Sequence, residues 1–431
     1  MSEAQPTLHN VVIVGGNRIP FARSNTAYTH VTEQQMMTAA LDGLIARYGL
    51  QGERIGTVAG GAVMKHPKDF NLMRESVLGS ALDPQTPAVD VQMACATGME
   101  AIGSLANKIR LGQIASGIGG GVDSASDAPI VVSEQLRTAL LELNRAKTWQ
   151  QKLKAVTKIS PAALLPQAPG IGEPRTGLSM GEHMARTAAH WKITRQEQDE
   201  IAVASHHNLA AAYERGFFDD LMTPFHGLTA DNNLRADTSM EKLAKLSPVF
   251  GKSLPQEATM TAGNSTALTD GASSVLLGSE EWAASKNLPM LANFVDFELA
   301  AVDFVDGAEG LLMAPAHAVA RLLQRNNLTF ADFDFFEIHE AFAATVAALM
   351  KAWESAEYCK QELGLEMPLG SIDRSKLNVN GSSLATGHPF AATGGRLIAS
   401  TAKLVAERGG RALISVCAAG GQAVAAIVES R

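Results

Sequence analysis

Two distant segments of the chain share the same spaced pattern of residues. In each, a Thr-Gly pair opens a stretch with helical spacing, and Ile, Ser and Ala follow at equal offsets. The matching positions are Thr97, Gly98, Ile102, Ser104 and Ala106 in the first segment and Thr393, Gly394, Ile398, Ser400 and Ala402 in the second. Each stretch leads through a glycine into an apolar run that is typical of a strand. The pattern predicts a chain of two similar halves, with chance similarity between two Ala- and Gly-rich helices as the alternative.

Strands and helices also alternate elsewhere in the sequence. Residues 11–14 read Val-Val-Ile-Val and predict a buried strand that ends in a turn at Gly15 and Gly16. Residues 33–48 carry apolar side chains at helical spacing, so we expect a helix there. Alternation of this kind predicts an α/β fold in which helices and sheets form layers.

The composition narrows the class of protein. The chain has 431 residues, 46% of them hydrophobic, so it can bury a large core in two or three domains. Its formal net charge of −8 argues against broad nucleic-acid binding. The three cysteines, Cys95, Cys359 and Cys417, form no Cys-x-x-Cys pair, so we expect neither a metal site nor a disulfide framework.

The sequence also bears on the compartment. Its first ten residues are polar and lack the basic start and apolar run of a signal peptide. No uninterrupted apolar stretch reaches the length of a transmembrane helix. We therefore expect a cytoplasmic protein without a transmembrane segment.

Three residues have surroundings that suit nucleophilic or acid–base chemistry. Cys95 lies at a predicted strand-to-helix junction, where the partial positive charge of a helix N-terminus favours the thiolate. His388 precedes Pro389 in a Gly-rich loop, which restricts its backbone, and an imidazole there can accept a proton from a thiol. Cys417 ends an apolar strand before a Gly-Gly pair, where backbone N–H groups can bind an oxyanion. Taken singly, these residues also suit a buried structural cysteine, a hydrogen-bonded loop histidine and an ordinary glycine turn.

Two further motifs carry polar residues at predicted strand ends or loops. His339-Glu340-Ala341-Phe342 follows a predicted strand but lacks the second histidine of a zinc-protease helix. Residues 261–266 read Thr-Ala-Gly-Asn-Ser-Thr, and residues 269–272 read Thr-Asp-Gly-Ala. Their small and hydroxyl side chains would let an extended ligand lie against the backbone, with a tight polar loop as the alternative.

Together and in this order, these motifs resemble those of the thiolase family. Cys95 stands in the nucleophile motif, residues 262–265 and 270–272 match the central motif, residues 339–342 match the Asn/His-Glu-Ala-Phe motif, and residues 387–389 and 417–421 match the last two. Residues 119–124, Gly-Gly-Gly-Val-Asp-Ser, resemble another strand end of the family. The resemblance runs from about residue 11 to the C-terminus, and five motifs in the family's order form a specific signature.

The resemblance implies a fold and a domain organisation. The fold is α/β, with two similar halves in a five-layered α/β/α/β/α core and an inserted loop domain over the active site. Residues 1–128 and 256–284 would form the N-terminal core half, residues 129–255 the loop domain, and residues 285–431 the C-terminal core half.

The resemblance also implies a reaction, the ping-pong transfer of an acyl group between a 3-oxoacyl-CoA and CoA through acyl-Cys95. His388 would deprotonate Cys95, and Cys417 would protonate the leaving acetyl-CoA carbanion and then deprotonate CoA. One oxyanion would be bound by His388 and a water held by His339, and the other by the backbone N–H groups of Cys95 and Ala419. Contacts to CoA or to the acyl group are implied for Met180, Arg235, Ser265, Thr266 and Phe342. CoA and acyl-CoA would be substrates, and no cofactor or metal is expected.

Several residues within the motifs differ from those common in the family, and in these residues the chain resembles one subgroup, the β-subunits of trifunctional fatty-acid oxidation complexes. His339 replaces the commoner Asn, Ala418 and Ala419 replace a pair that usually contains Gly, and residues 390–392 read Phe-Ala-Ala in place of x-Gly-Ala. The resemblance to this subgroup implies a role in β-oxidation, with the synthesis or cleavage of acetoacetyl-CoA as the alternative. It also implies a homodimer or homotetramer, and a hydratase/dehydrogenase α-subunit as a possible partner.

Residues 137–158 differ in character from the rest of this acidic chain. They contain six Lys or Arg and one acid, Glu142. Apolar residues are interleaved among them, namely Leu140, Leu141, Leu143, Trp149, Leu153 and Val156, and the prolines at 161, 166, 169 and 174 follow. The pattern predicts one or two amphipathic surface helices that bind a partner subunit or a membrane surface. The alternative is a cover over the active site whose charges are simply solvated.

Two other functions are compatible with parts of the sequence. A condensing enzyme of the ketoacyl synthase type shares the fold and the nucleophilic cysteine, but the motif around Cys417 argues against it. An inactive thiolase-like carrier of lipids or CoA is the other, and the joint presence of Cys95, His388 and Cys417 argues against that reading.

Overall fold

The computed structural model describes residues 8–166, 170, 172–307 and 309–431. The first seven residues, on which the signal-peptide prediction partly rests, lie outside this range, as does Pro169. The strands are Val11–Arg18 (β1), Ala22–Arg23 (β2), Thr57–Gly60 (β3), Ala88–Asp90 (β4), Ser116–Asp123 (β5), Thr269–Ser279 (β6), Ala292–Ala301 (β7), Phe335–Ile338 (β8), Arg411–Ala418 (β9) and Gln422–Glu429 (β10).

Helices alternate with these strands along the chain. The α-helices are Glu33–Tyr48 (α1), Leu72–Gly79 (α2), Thr97–Arg110 (α3), Glu134–Arg145 (α4), Trp149–Val156 (α5), Met180–His190 (α6), Arg195–Glu214 (α7), Met240–Ala244 (α8), Glu280–Ser285 (α9), Ala314–Asn326 (α10), Ala343–Glu354 (α11), Ala356–Gln361 (α12), Ser383–Thr386 (α13) and Ala392–Arg408 (α14). Short 3₁₀ helices span Pro67–Asp69, Pro161–Leu164, Phe330–Asp332 and Arg374–Lys376.

The strand pairing repeats between the two halves of the chain. In the first half, β3 is parallel to β4 and β5, whereas β5 is antiparallel to β6 and β6 to β1. In the second half, β8 pairs in parallel with β9 and forms a single parallel bridge to Leu377 on its other side. Strand β9 is antiparallel to β10, and β10 is antiparallel to β7. The halves meet where β1 pairs with β7. The same pairing in the same order confirms the predicted internal duplication.

The helices that carry the repeated Thr-Gly pattern form the central layer. Helix α14 packs against strands of both halves, and α3 packs against α14. At their crossing, a Cβ on Gly98 would lie 2.5 Å from the Ala391 carbonyl oxygen, and one on Gly394 would lie 2.4 Å from the Met99 nitrogen. Only glycine permits so close an approach of two backbones. The repeated Thr-Gly pairs therefore mark the place where the two halves touch.

Alternate residues of each strand face different layers. Ile13 of β1 packs in the central cluster with Ile398 of α14, whereas its neighbour Val12 packs in an outer cluster with Leu41 of α1. On the other side of the molecule, Leu413 of β9 packs in a second outer cluster with Val319 of α10. The order is therefore helix, sheet, helix, sheet, helix, and the predicted five-layered α/β fold is confirmed.

The local predictions near the N-terminus have mixed outcomes. Helix α1 has the predicted bounds, begins at a capping box formed by Thr32 and Gln35, and ends at Gly49 with φ 63°. The turn predicted at Gly15 and Gly16 is wrong, because β1 continues through both residues. A Cβ on Gly15 would lie 1.7 Å from the Tyr48 hydroxyl oxygen, so glycine is needed there for close packing rather than for a turn.

Between β5 and β6 the chain forms helices α4 to α8. Helices α6 and α7 pack against α11 of the second half, whereas α4 and α5 pack against each other. The helical prediction for residues 137–158 is confirmed as two helices rather than one. No helix of the described residues is long and apolar enough to cross a membrane.

Candidate active site

Cys95 lies in a tight turn between β4 and α3. The residue before it, Ala94, has φ 44°, a left-handed conformation that is strained for a residue with a Cβ. Thr97 holds the turn, since its hydroxyl donates to the Ala94 carbonyl at 2.7 Å and accepts from the Met93 N–H at 2.8 Å. The strained turn therefore fixes the position of the Cys95 side chain.

The electrostatic environment of Cys95 differs from the sequence-based expectation. Burial raises the pKa of the Cys95 thiol to about 12, although hydrogen bonding from the Ala419 N–H lowers it and the charge of Asp123 raises it further. The proximity of a helix N-terminus does not outweigh this desolvation. At neutral pH the resting thiol is protonated, so a nucleophilic role requires a neighbouring base.

His388 is a candidate for that base. It lies in the loop between α13 and α14, flanked by Gly387 with φ 93° and by Phe390 with φ 20° two residues later. Its Nδ1 is 2.6 Å from the Thr393 hydroxyl oxygen, and its buried Nε2 has no hydrogen-bond partner among the described residues. Burial lowers the pKa of His388 to about 3, and the charge of Arg396 lowers it further. The imidazole is therefore neutral at rest and able to accept a proton.

His339 follows β8 and lies beside His388, with 4.2 Å between the two ring centroids. Its Nδ1 is 2.8 Å from the Ser383 hydroxyl oxygen, which also accepts from Nη2 of Arg396 at 2.7 Å. Because Arg396 cannot accept a hydrogen bond, the Ser383 proton is directed to Nδ1 of His339. The neutral ring then carries its own proton on Nε2. Burial lowers the pKa of His339 well below its ordinary value, which keeps the ring neutral.

Glu340, the residue after His339, ties the surrounding loops together. Its carboxylate accepts from the Ser205 hydroxyl at 2.7 Å, from the Asn378 side-chain amide at 2.7 Å and from the Leu384 N–H at 3.1 Å. Asn378 in turn donates to the Ile338 carbonyl and accepts from the Ile338 N–H. This buried network fixes the end of β8, from which His339 projects.

Cys417 lies near the end of β9 and is buried. Burial raises the pKa of its thiol above the ordinary value, and the neighbouring Cys95 raises it further. The turn that follows bends through Gly420 with φ 79° and Gly421 with φ 69°. The Gly420 N–H donates to Glu173 at 2.6 Å, and the Ala419 N–H is directed at Cys95. The two cysteines and the predicted oxyanion donors therefore share one region.

The predicted contacts for CoA and the acyl group largely converge on the same place. Ser265 bridges to Phe342, and the Thr266 N–H donates to the Ala341 carbonyl at 3.1 Å. The Thr266 hydroxyl donates to the Ser383 carbonyl at 2.9 Å, next to the histidines. Met180, the first residue of α6, packs against the cluster that contains Phe342 and Cys417.

Arg235 stands apart from this group. Its side chain is exposed, and its backbone N–H donates to Nδ1 of His206 at 3.2 Å. The segment before it is held by a buried ion pair between Arg18 and Asp231. The Asp231 carboxylate also accepts from the Tyr213 hydroxyl. No hydrogen bond or ion pair between described residues connects the Arg235 side chain to the two cysteines, so its predicted CoA contact stays a prediction.

Comparison with known proteins identifies the family. The model of the thiolase N-terminal domain matches residues 11–281, and that of the thiolase C-terminal domain matches residues 288–430. The chain belongs to the thiolase family. This thiolase is 39% identical over 440 residues to the 3-ketoacyl-CoA thiolase of Pectobacterium carotovorum subsp. carotovorum (strain PC1), with 100% of this chain and 99% of the relative covered. The 3-ketoacyl-CoA thiolase of Yersinia enterocolitica serotype O:8 / biotype 1B is 39% identical over 426 residues, with 97% and 96% covered.

Solved structures support the same fold for this thiolase. The acetyl-CoA acetyltransferase of Bacillus anthracis superposes with a TM-score of 0.81 at 29% identity, covering 99% of this chain and 100% of that chain. A human mitochondrial 3-ketoacyl-CoA thiolase in complex with CoA superposes with a TM-score of 0.80 at 25% identity, covering 99% of each chain.

Sequence reasoning missed the supporting residues of this thiolase site. Ser383 and Arg396 orient His339, and Thr393 contacts His388. In the sequence, Thr393 is distinguished only by its place in the repeated Thr-Gly pattern. Ser383 and Arg396 lie close to the His388 motif in the sequence, but nothing in their own pattern distinguishes them from other helix residues.

Proposed function

We propose that this thiolase cleaves 3-oxoacyl-CoA with CoA in fatty-acid β-oxidation, through an acyl group carried on Cys95. The observation that carries this proposal is the placement of two neighbouring pairs, Cys95 beside Cys417 and His339 beside His388. The pairs are linked through the sheet, because the His339 N–H donates to the carbonyl of Ser415, two residues before Cys417, at 2.9 Å. The neutral imidazoles and the protonated thiols supply both a base and an acid. The names of the curated relatives support the choice of substrate class.

The first chemical step is the formation of the nucleophile. In the tautomer that carries its proton on Nδ1, His388 donates to the Thr393 hydroxyl oxygen, and the lone pair of Nε2 takes the proton of Cys95. The thiolate then attacks the 3-keto carbon of the acyl-CoA. His388, now protonated, donates to the oxyanion that forms, and Nε2–H of His339 supports that oxyanion through the water that the family resemblance implies.

The second step breaks the carbon–carbon bond. As the oxyanion collapses, the electron pair of that bond passes to the α-carbon of the leaving acetyl-CoA. Cys417 is suited to protonate this carbon, because burial keeps its thiol neutral. An acyl thioester remains on Cys95, and Cys417 is left as a thiolate.

The third step transfers the acyl group to CoA. The Cys417 thiolate takes the proton of the CoA thiol, and the CoA sulfur attacks the acyl carbon on Cys95. The backbone N–H groups of Cys95 and Ala419 bind the second oxyanion. Its collapse breaks the bond between the acyl carbon and the Cys95 sulfur and releases acyl-CoA, and the Cys95 thiolate regains its proton from His388. Because Ala419 donates through its backbone, alanine in place of glycine preserves this role.

Loss of 3-oxoacyl-CoA absorbance on addition of CoA tests this function, measured across a series of acyl chain lengths. Turnover that depends on both substrates, with ping-pong kinetics, is expected. Binding of acyl-CoA without turnover would favour the carrier, and release of CO₂ from a malonyl thioester would favour the condensing enzyme. The presence of Cys417 beside Cys95 favours the thiolase over both alternatives.

We further propose a cytoplasmic homodimer or homotetramer that binds a hydratase/dehydrogenase α-subunit through the hairpin of α4 and α5. Half of the large apolar side chains that are exposed in the described residues, ten of twenty, lie between positions 130 and 165. On α5 the exposed stripe runs through Trp149, Leu153 and Val156, whereas Ala155 on the opposite face is buried. A helix that served only as a cover would turn its apolar stripe inward.

The charges of this hairpin also favour an association surface. Glu134 pairs with Arg137 and Glu142 with Lys158, so two of its six basic residues are neutralised. The remaining four make no ion pair with any described residue, and they are Arg145, Lys147, Lys152 and Lys154. Resemblance to the trifunctional β-subunits supports a protein partner, with an anionic membrane surface as the other outcome of the test.

A further inference from the structure

Asp123, the last residue of β5, connects its own strand to two distant segments of the chain. Its Oδ1 accepts from the backbone N–H groups of Val63 and Met64, each at 2.9 Å. Its Oδ2 accepts from the Ala391 N–H at 2.9 Å. The residue is fully buried. A buried carboxylate that receives three backbone donors from two distant segments fixes the distance between those segments.

The hydrogen bond from the Ala391 N–H to Asp123 holds one end of the strained loop that carries His388. Ala391 lies three residues after His388, and the intervening Phe390 has φ 20°, which is strained for a residue with a bulky side chain. Strain of this kind persists only where the surroundings determine the backbone on both sides. On one side His388 bridges to Leu268, and on the other the Asp123 carboxylate holds the Ala391 N–H.

The same turn is also packed tightly against the Cys95 segment. A Cβ on Gly121 would lie 2.3 Å from the Ala391 carbonyl oxygen, and one on Gly98 would lie 2.5 Å from it. Gly98 is in the first turn of α3, directly after the strained turn that presents Cys95. A shift of Ala391 would therefore move the His388 loop relative to the Cys95 turn.

We propose that Asp123 is a positioning residue for acyl transfer, which holds the His388 loop against the Cys95 turn through the Ala391 N–H. It contacts neither thiol nor substrate in this role, and it acts through His388. The proposal rests on the catalytic roles proposed above for His388 and Cys95.

Asp123 shares its buried surroundings with a second carboxyl group. Burial raises the pKa of Asp123 to about 7, although the backbone N–H groups of Ala391, Met64 and Val63 lower it. The first residue of α1, Glu33, is 1% exposed and lies beside Asp123. Burial and the charge of Asp123 raise the pKa of Glu33 to about 9, although the backbone N–H of Ser124 lowers it. The charges of Asp69 and Asp127 also raise the pKa of Glu33. Of the two buried carboxyl groups, Glu33 therefore keeps its proton to higher pH, and Asp123, which has three backbone donors, ionises first.

The position of the His388 loop and the charge of Asp123 act on Cys95 in opposite directions. Displacement of the loop takes the base away from Cys95, so alkylation of the thiol should need a higher pH. Removal of the Asp123 charge acts the other way, because that charge, after burial, is among the causes that raise the pKa of Cys95. A substitution that keeps the charge and displaces only the acceptor therefore isolates the positioning effect.

The experiment compares Asp123→Asn with Asp123→Glu and Glu33→Gln in the full chain. Asn removes the charge and replaces one of the two carboxylate oxygens with an NH₂ group, which cannot accept a hydrogen bond. The backbone donors on one side then lose their acceptor, so kcat should fall about tenfold to hundredfold, with little change in KM. Asp123→Glu keeps the charge but displaces the acceptor, so kcat should fall with little change in KM. Iodoacetamide alkylation of Cys95 in this variant, mapped by mass spectrometry, should shift to higher pH, because the His388 base is displaced. Glu33→Gln replaces a protonated carboxyl with an amide of the same shape and should stay within about twofold of the wild-type kcat.

Wild-type kcat in both Asp123 variants would overturn the proposal, as would a lower kcat in Asp123→Glu with an unchanged alkylation profile. If Asp123→Asn does not fold, Asp123→Glu alone decides, and a wild-type kcat there would overturn it. Failure of the catalytic roles themselves would be seen separately, as alkylation or acylation of the wild-type protein at a cysteine other than Cys95.

Discussion

The imidazole rings of His339 and His388 lie 4.2 Å apart between centroids, and in each ring Nδ1 is held by a hydroxyl group. Nε2 of each ring has no hydrogen-bond partner among the described residues. Two imidazoles this close do not both carry a positive charge at low cost, and the charge of His388 lowers the pKa of His339. In the proposed mechanism the two rings therefore have different roles: His388 accepts the proton of Cys95, and His339 stays neutral and donates.

This division predicts different results for two substitutions of His339. His339→Asn keeps an N–H donor and should retain activity within about tenfold of the wild type, because the oxyanion remains supported. His339→Ala removes the donor, and kcat should fall about 10²-fold or more, the typical effect of losing one oxyanion donor. Steady-state thiolysis measures both. Equal activity of the Ala and Asn variants would contradict the role of His339 as a donor.

His388→Ala should slow the alkylation of Cys95 near neutral pH. Burial holds the pKa of His388 at about 3, so the ring is a neutral base throughout the neutral range. Burial also raises the pKa of Cys95 to about 12, so without that base the thiolate forms only at higher pH. The pH profile of iodoacetamide inactivation should therefore move upward, with Cys359 as an internal buried reference. An unchanged profile would argue against a pair of Cys95 and His388.

Cys417→Ala should separate acylation from proton transfer. The nucleophile survives, so the variant should still form acyl-Cys95 from an activated acyl donor. Turnover should fall about 10²–10⁴-fold, because the general acid that protonates the leaving carbon is gone. Burst and steady-state kinetics on the same preparation measure the two phases. A turnover within twofold of the wild type would leave Cys417 with a structural role alone.

The hairpin of α4 and α5 can be tested by charge substitution. Replacement of Arg145, Lys147, Lys152 and Lys154 with Gln should weaken binding of the α-subunit in co-purification while thiolysis continues. The matched control is Arg137→Gln with Lys158→Gln, since these two charges are already neutralised by Glu134 and Glu142. Sedimentation with anionic vesicles tests the membrane surface. If neither partner binds the wild type, or both bind the variant equally, the cover is the better reading.

Much of the fold was predictable because the sequence repeats its own pattern. The Thr-Gly pairs at 97–98 and 393–394 mark the helix crossing, and the bounds of α1 follow from helical spacing and a capping box. Gly15 and Gly16 were mistaken for a turn, because a glycine required by a neighbouring side chain looks the same in the sequence as one required by a turn. Only the three-dimensional packing against Tyr48 distinguishes the two cases.

The side chains proposed to carry the chemistry could be predicted from the sequence, but the residues that hold them in place could not. Cys95, His388, Cys417 and His339 carry distinctive side chains within recognisable motifs. The role of Asp123 depends on two backbone segments that are distant in sequence from it and from each other, so no local spacing reveals it. The pKa of Cys95 was expected to be low from its place before a helix, whereas burial, which a sequence does not display, raises it.

The central claim is that the acyl group is carried on Cys95, and chemical trapping tests it most directly. The wild type and Cys95→Ser are incubated with radiolabelled acetyl-CoA, digested, and the label is mapped to a peptide. We expect label on Cys95 in the wild type and none in Cys95→Ser, which should keep its fold but lose turnover, because a serine hydroxyl is far less acidic than a thiol. Label on Cys359 or Cys417 of the wild type, with none on Cys95, would contradict the account.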